Sequence, residues 1–168
     1  MTYRAPVKDM LFCMKELAGL DAVAQLRGFE DIDADTAQAV LDECAKFNEG
    51  VVAPLNWDGD LYPSSFHDGK VTTTPGFKEA YRQFVENGWH GLDGNPEFGG
   101  QGLPRVVSAA VREMWKSANH AFALCPMLTS GAIDAIELCG APELKALYLP
   151  KMVAGEWTGT MNITEPQA

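Results

Sequence analysis

The 168-residue sequence lacks the features of a zinc module, a redox dithiol or a nucleic-acid binder. Its four cysteines, Cys13, Cys44, Cys125 and Cys139, are scattered, with no Cys-x-x-Cys pair and no His at ligand spacing, which removes zinc and dithiol chemistry. They are expected to be reduced and mostly buried thiols. Basic residues are few, 13 against 23 acidic ones for a formal charge of −10, and they form no cluster. A phosphate backbone needs a concentrated positive face, so no nucleic-acid partner is expected. The acidity still leaves room for an anionic small ligand held by backbone N–H groups and a few local cations. The opening "MTYRAPVKDMLFCMKEL" has no continuous apolar stretch. It reads as neither a signal peptide nor a membrane span, and a soluble, cytoplasmic protein without a membrane partner is expected. His67, His90 and His120 have no Ser, Cys or carboxylate partner at motif spacing, which argues against nucleophilic catalysis and for turn or partly buried roles.

What the sequence has is helical periodicity. Met10, Leu11, Met14, Leu17 and Ala18 predict a short amphipathic helix ending near Gly19. A longer one follows "DIDADT", with Asp35 or Thr36 as cap and Val40, Cys44, Phe47, Val51 and Leu55 on its stripe. Thr74-Pro75 predicts the start of a helix through Phe77, Tyr81, Phe84 and Val85 that stops at Gly88. Val107, Val111, Met114, Trp115 and Ala118 form the next stripe. The nearly uncharged run "AFALCPMLTSGAIDAIELCG" predicts a buried helix closed by Gly140. Pro142 opens a last helix that Pro150 is expected to kink or divide.

Two segments imitate ligand loops. "NWDGDLYPSSFHDGKVTTTPG" places Asn56, Asp58 and Asp60 at alternate positions, but a calcium loop needs Gly at its sixth position and Glu at its twelfth, where Leu61 and His67 stand. The segment is expected to be a solvated connection with some extended structure around Lys70 to Thr73. "GLDGNPEFGGQGLP" holds five glycines in fourteen residues. It follows a helix rather than a strand and lacks the Lys-Ser/Thr of a phosphate loop, so a structural role is expected. No metal site is predicted.

From Trp157 to Thr164 the period changes to two: Trp157, Gly159, Met161 and Ile163 alternate with Thr158, Thr160, Asn162 and Thr164, as in a strand with one buried face. A lone strand leaves its N–H and C=O groups unpaired. A helical domain over residues 1–155 and the start of a truncated β domain over 156–168 are therefore expected.

The order of Pro96-Glu-Phe-Gly-Gly-Gln-Gly-Leu-Pro104, a helix pair, "GAPELKALYLPKMVAGEW" and "MNITEP" resembles the N-terminal portion of the acyl-CoA dehydrogenase family. "YRAPVKDM", "APLNWDGD" and "PGFKEAYRQFVENGW" resemble a longer bacterial subgroup that includes enzymes of 3-methylmercaptopropionyl-CoA and related thioesters. The resemblance implies a mainly α fold class: an N-terminal helical domain followed by the first strand of a middle β domain. It also implies an FAD-dependent enzyme that oxidises an acyl-CoA to the 2,3-enoyl-CoA by α-proton abstraction and β-hydride transfer, with homo-oligomers when full length and an electron-transfer flavoprotein as acceptor. A stand-alone, non-catalytic helical module derived from the family, or an acyl-CoA oxidase fragment, is the alternative.

By the same resemblance, Met161, Ile163 and Thr164 contact the flavin of FAD, and Leu124, Met127 and Leu128 line the acyl-CoA site. On spacing alone Thr164 is a turn residue closing a strand, and the three apolar residues are ordinary core. The catalytic Glu of the family sits in its C-terminal domain, so no catalytic residue is assigned here. Glu156 is expected in a surface turn, and neither it nor Glu165 is given the role of base.

Overall fold

The computed structural model describes residues 3–160, 162 and 164–167. Its frame is helical. Helix α1 (Val7–Phe12) runs into a π-helical turn, Cys13–Leu17, and Gly19 in the left-handed region separates it from the short α2 (Leu20–Val23). Helix α3 (Ala34–Phe47) likewise continues into a π turn, Asn48–Val52. Its cap is Asp33, two residues before the first expected candidate: the carboxylate accepts from the Thr36 N–H at 2.7 Å. The α3 stripe also differs. Leu41, Cys44, Phe47 and Val52 are buried, while Val40, Val51 and Leu55 are half-buried: within α3 the buried face runs through Ala37, Leu41 and Cys44 with Val40 at its edge, and the π turn rotates the positions that follow it.

The connection read as loop contains helix α4 (Leu55–Leu61), so Asn56, Asp58 and Asp60 lie on a helix rather than around a cation. It then forms a hairpin, β1 (Ser65–His67) against β2 (Lys70–Thr72), with Phe66 opposite Val71. Asp68 and Gly69 both have positive φ, the backbone that an Asp-Gly hairpin turn requires. Thr74 does not cap the next helix. It is buried, and its hydroxyl donates to the Tyr62 carbonyl at 2.9 Å, pinning the hairpin's return to the end of α4. Helix α5 (Phe77–Glu86) starts after Gly76 instead.

Helices α6 (Arg105–Ala118), α7 (His120–Cys139) and α8 (Pro142–Val153) follow, α7 stopping at Gly140 as expected. Pro150 does not divide α8, which continues past it for one more turn and ends there. The helices pack in succession: α1 on α3, α3 on α6, α6 on α7 and α7 on α8. Phe84 of α5 sits at the centre, fully buried, edge-on to Trp115 at 4.8 Å and to Phe122 at 5.8 Å and stacked with Tyr81 at 5.8 Å. Such ring pairs add roughly 0.5–1.5 kcal/mol each beyond area burial.

The glycine-rich segment between α5 and α6 is a packed knot. A Cβ on Gly100 would lie 2.0 Å from the Gly94 carbonyl oxygen, so only glycine fits. The N–H groups of Gly94, Gly99, Gly100, Gln101, Gly102 and Leu103 are all spent on carbonyls within residues 91–96. A phosphate cradle needs those donors free, so the segment is structural.

The cysteine expectation is corrected. All four thiols are free, but only Cys44 is buried; Cys13, Cys125 and Cys139 are exposed. Cys13 and Cys139 lie near helix ends, and Cys125 lies at the edge of a hollow beside Phe77 and Tyr81, which cover it only in part. Past α8 the alternating segment forms no ladder among its described residues, since no neighbouring strand offers partners. The Trp157 N–H bonds the Lys151 carbonyl at 3.1 Å, and the Gly159 N–H bonds the Thr129 hydroxyl at 3.1 Å.

Candidate functional site

Helix α7 positions the candidate site. Asn119 starts it: its side-chain oxygen accepts from the Phe122 N–H at 3.0 Å, and its amide reaches the Val52 carbonyl at 3.4 Å. Twenty residues follow with few charges, and by length and composition the helix could cross a membrane. In this fold it lies against α6 and α8 instead. Phe122, Pro126, Thr129 and Ile133 face that core.

The expected burial of α7 holds for that face only. Leu124 is 40% exposed, Met127 39% and Leu138 82%, while Leu128 is half-buried and Gly131 and Ala135 are open to solvent. At 3.6 residues per turn these positions fall on one stripe. The three residues expected to touch an acyl group are thus brought together on one apolar, uncovered face, and the reading of them as ordinary core fails for Leu124 and Met127.

Of the residues expected at a flavin, Met161 and Ile163 lie outside the described residues. Thr164 is exposed. The main chain of Thr160, Asn162 and Thr164 makes no hydrogen bond among the described residues, so its donors and acceptors remain available. The preceding Gly159 is fastened to Thr129, with room for no side chain: a Cβ there would lie 2.6 Å from that of Ala132. The segment therefore leaves α7 with free backbone groups, the donor and acceptor set that the edge of a flavin ring can use. Glu156 is exposed in the turn after α8, as expected, and Glu165 is exposed near Gln167.

On another side of α7 lies a polar cavity of about 460 Å³, lined among others by His90, Asp93, Arg112, Asp134 and Glu137. Arg112 grips Asp93 with both carboxylate oxygens at 2.9 and 3.0 Å, and the Ser108 hydroxyl donates to the same carboxylate at 2.9 Å. His90 is 6% exposed, fully buried rather than partly so. Its ring nitrogens face the Val153 and Pro126 carbonyls at geometry too poor for a hydrogen bond. Burial is the main cause holding its pKa below 6.5, partly offset by those carbonyls. Sequence reasoning missed this cluster, because its members come from a 3-10 turn, a loop and two helices. A smaller and more apolar hollow of about 340 Å³ opens between the hairpin and the start of α7. Among the described residues no group of three or more His, Cys, Asp or Glu is placed to hold a metal ion.

The bundle, the packed glycine loop and α7 form a helical unit with one apolar helix face left uncovered. Its sequence carries the family's signature: the acyl-CoA dehydrogenase N-terminal domain matches residues 34–156, and the chain belongs to the acyl-CoA dehydrogenase family. It is 45% identical, over its whole length, to 29% of 3-methylmercaptopropionyl-CoA dehydrogenase from Ruegeria pomeroyi. Over 99% of the chain it is 34% identical to 28% of a butyryl-CoA dehydrogenase from Syntrophomonas wolfei. A broad-specificity linear acyl-CoA dehydrogenase from Mycobacterium tuberculosis is 33% identical, again over 99% of the chain and 27% of the relative. The chain thus spans less than a third of these relatives, as their N-terminal part.

Proposed function

We propose that residues 1–168 form the N-terminal part of an FAD-dependent acyl-CoA dehydrogenase that oxidises an acyl-CoA thioester to the 2,3-enoyl-CoA. The observation that carries this reading is the uncovered apolar stripe of α7 beside the segment tied to it at Thr129. Bound flavin supplies the hydride acceptor for the acyl β-carbon, while the α-proton leaves to a carboxylate base that these residues do not include. This chain's own part is binding and exclusion. Leu124, Met127 and Leu128 present an apolar wall to the acyl group and keep water from it. The Thr164 hydroxyl and the main chain of residues 160–164, Met161 and Ile163 among them, bond the flavin edge.

Residues 1–155 act as the helical domain, and 156–168 open the β domain that completes the cleft. A soluble cytoplasmic homo-oligomer passing electrons to an electron-transfer flavoprotein is the matching context, with neither membrane nor nucleic acid as partner. The whole protein is expected to purify with a flavin absorption band that an acyl-CoA bleaches under anaerobic conditions. Colourless protein that takes up no FAD would overturn the proposal in favour of a non-catalytic binding module. Rapid oxygen consumption during turnover would instead indicate an oxidase.

A further inference from the structure

We propose that Thr129 is a positioning residue of the flavin site: through Gly159 it fixes where the chain leading to Thr160 and Thr164 meets the ring, while touching neither flavin nor thioester itself. This rests on the dehydrogenase reading above and names the joint that aligns its two halves.

The joint has a direction built into it. Thr129 is fully buried, and its hydroxyl donates its only proton to the Cys125 carbonyl, one turn back on α7, at 2.8 Å. The Gly159 carbonyl, at 3.4 Å, is the longer and weaker alternative. With the proton spent on its own helix, the oxygen turns a lone pair outward and accepts from the Gly159 N–H at 3.1 Å.

Sterics reinforce the bond. A Cβ on Gly159 would lie 2.6 Å from that of Ala132 and 3.1 Å from the Met152 methyl. Gly159 is not among the glycines of positive φ, so close approach to α7, rather than backbone freedom, calls for glycine here.

The chain is tied upstream as well. The Tyr81 hydroxyl donates to the Gly155 carbonyl at 3.0 Å, and the Trp157 N–H to the Lys151 carbonyl at 3.1 Å, with the Lys151 ammonium 4.5 Å from the centre of the indole. Those ties hold it to α5 and α8. The bond to Thr129 holds it to α7 and, among the described residues, is the last before the unbonded main chain of Thr160, Asn162 and Thr164. Leu128, of the proposed acyl wall, is the neighbour of Thr129 in sequence. One bond therefore sets the flavin-facing chain relative to that wall, and a displacement of about 1 Å between reacting groups can cost about a hundredfold in rate.

Two variants move the joint by different means. Thr129→Val deletes the acceptor and keeps the shape. Gly159→Ala keeps the hydroxyl and pushes the chain off α7, and Ala132→Gly in the same chain gives the room back. In the whole protein, FAD added to the apo form is expected to slow amide exchange of the peptide spanning residues 158–165 several-fold in the native chain and in Thr129→Ser, and hardly at all in Thr129→Val. Anaerobic bleaching of the flavin is followed with butyryl-CoA or 3-methylmercaptopropionyl-CoA, whichever bleaches the native protein faster. It is expected to slow by about 10- to 100-fold in Thr129→Val and Gly159→Ala, with the half-saturating thioester concentration little changed, and to recover in Thr129→Ser and in Gly159→Ala/Ala132→Gly. Asp33→Ala, which deletes the α3 cap, is the control for a plain loss of stability and is expected to leave both readouts as in the native chain. Native-like protection and bleaching in Thr129→Val, or a Gly159→Ala defect that Ala132→Gly leaves in place, overturn the positioning role while the dehydrogenase reading stands. A native protein that takes up no FAD overturns both.

Discussion

Helix α6 buries Val107, Val111, Met114, Trp115 and Ala118 on one side and shows Arg105, Glu113 and Lys116 to water. Helix α7, joined to it through Asn119 alone, buries Phe122, Pro126, Thr129 and Ile133 but leaves Leu124, Met127 and Leu138 uncovered. Both have the composition to pack; α6 ends its burial in a charged face, whereas α7 has Asp134 and Glu137 on one side and an apolar stripe left uncovered on another. A helix that is apolar around most of its circumference is written for cover on more than one side. The difference is that α6 is finished by its own charged face and α7 is not, as the proposed function requires.

Truncation tests that contrast most strongly. Met114→Ala in α6 removes a fully buried side chain and is expected to destabilise by about 2–5 kcal/mol, whereas Leu138→Ala in α7 should stay within about 0.5 kcal/mol, both read by urea unfolding. Similar losses at the two sites would mean that α7 is covered in solution.

The junction comes next. Asn119→Ala deletes the α7 cap and is expected to lose about 1–2 kcal/mol, with Asn119→Asp recovering most of it because the capping oxygen is kept. Full loss in the Asp variant would assign the effect to the amide's reach toward Val52 instead.

Thr129→Val is a smaller change that sharpens the comparison from the α7 side. It removes the hydroxyl that accepts from Gly159 at 3.1 Å, for about 1 kcal/mol. Amide exchange at Gly159 is expected to quicken while that within α6 is unaffected; unchanged Gly159 exchange would show that the segment is held by something else.

The smallest effect is a pH dependence where the two helices meet the buried histidine. His90 is held neutral with its pKa below 6.5, so the unfolded chain takes up a proton more readily. Its contribution is full above pH of about 6.5 and declines as pH falls from there toward the folded value. The carboxylates of Asp33 and Glu49, whose pKa values are lowered by the N–H groups of Thr36 and Ala5, lose their contribution only at more acid pH. A denaturation midpoint that drops between pH 7 and 5.5 in the native chain, and less in His90→Phe, is the expected result. Equal drops in both would place the titrating group elsewhere.

Reading the sequence located α6 and α7 closely because long, strongly periodic segments with Pro, Asn and Gly punctuation report their own bounds. It misplaced the cap of α3 by two residues and missed α4, where seven residues rich in Asp and Gly carry no clear period. The hairpin was more legible than the expectation of loose extended structure allowed, since Phe66-His67-Asp68-Gly69-Lys70-Val71 carries the Asp-Gly signal between β-forming residues. The Arg112–Asp93–Ser108 cluster had no such signal: Ser108 and Arg112 stand one turn apart on α6, but the carboxylate they share comes from the loop before it, and only the folded glycine segment brings Asp93 back to them.

By itself the sequence determined where α6 and α7 begin and end, that the glycine loop is structural, and which family the chain belongs to, because periodicity, turn residues and motif order are local properties. Only the tertiary structure decided that Leu124 and Met127 face outward while His90 is sealed in. Whether an apolar residue is core or surface depends on what else arrives to cover it, and that is a property of neighbours distant in the chain.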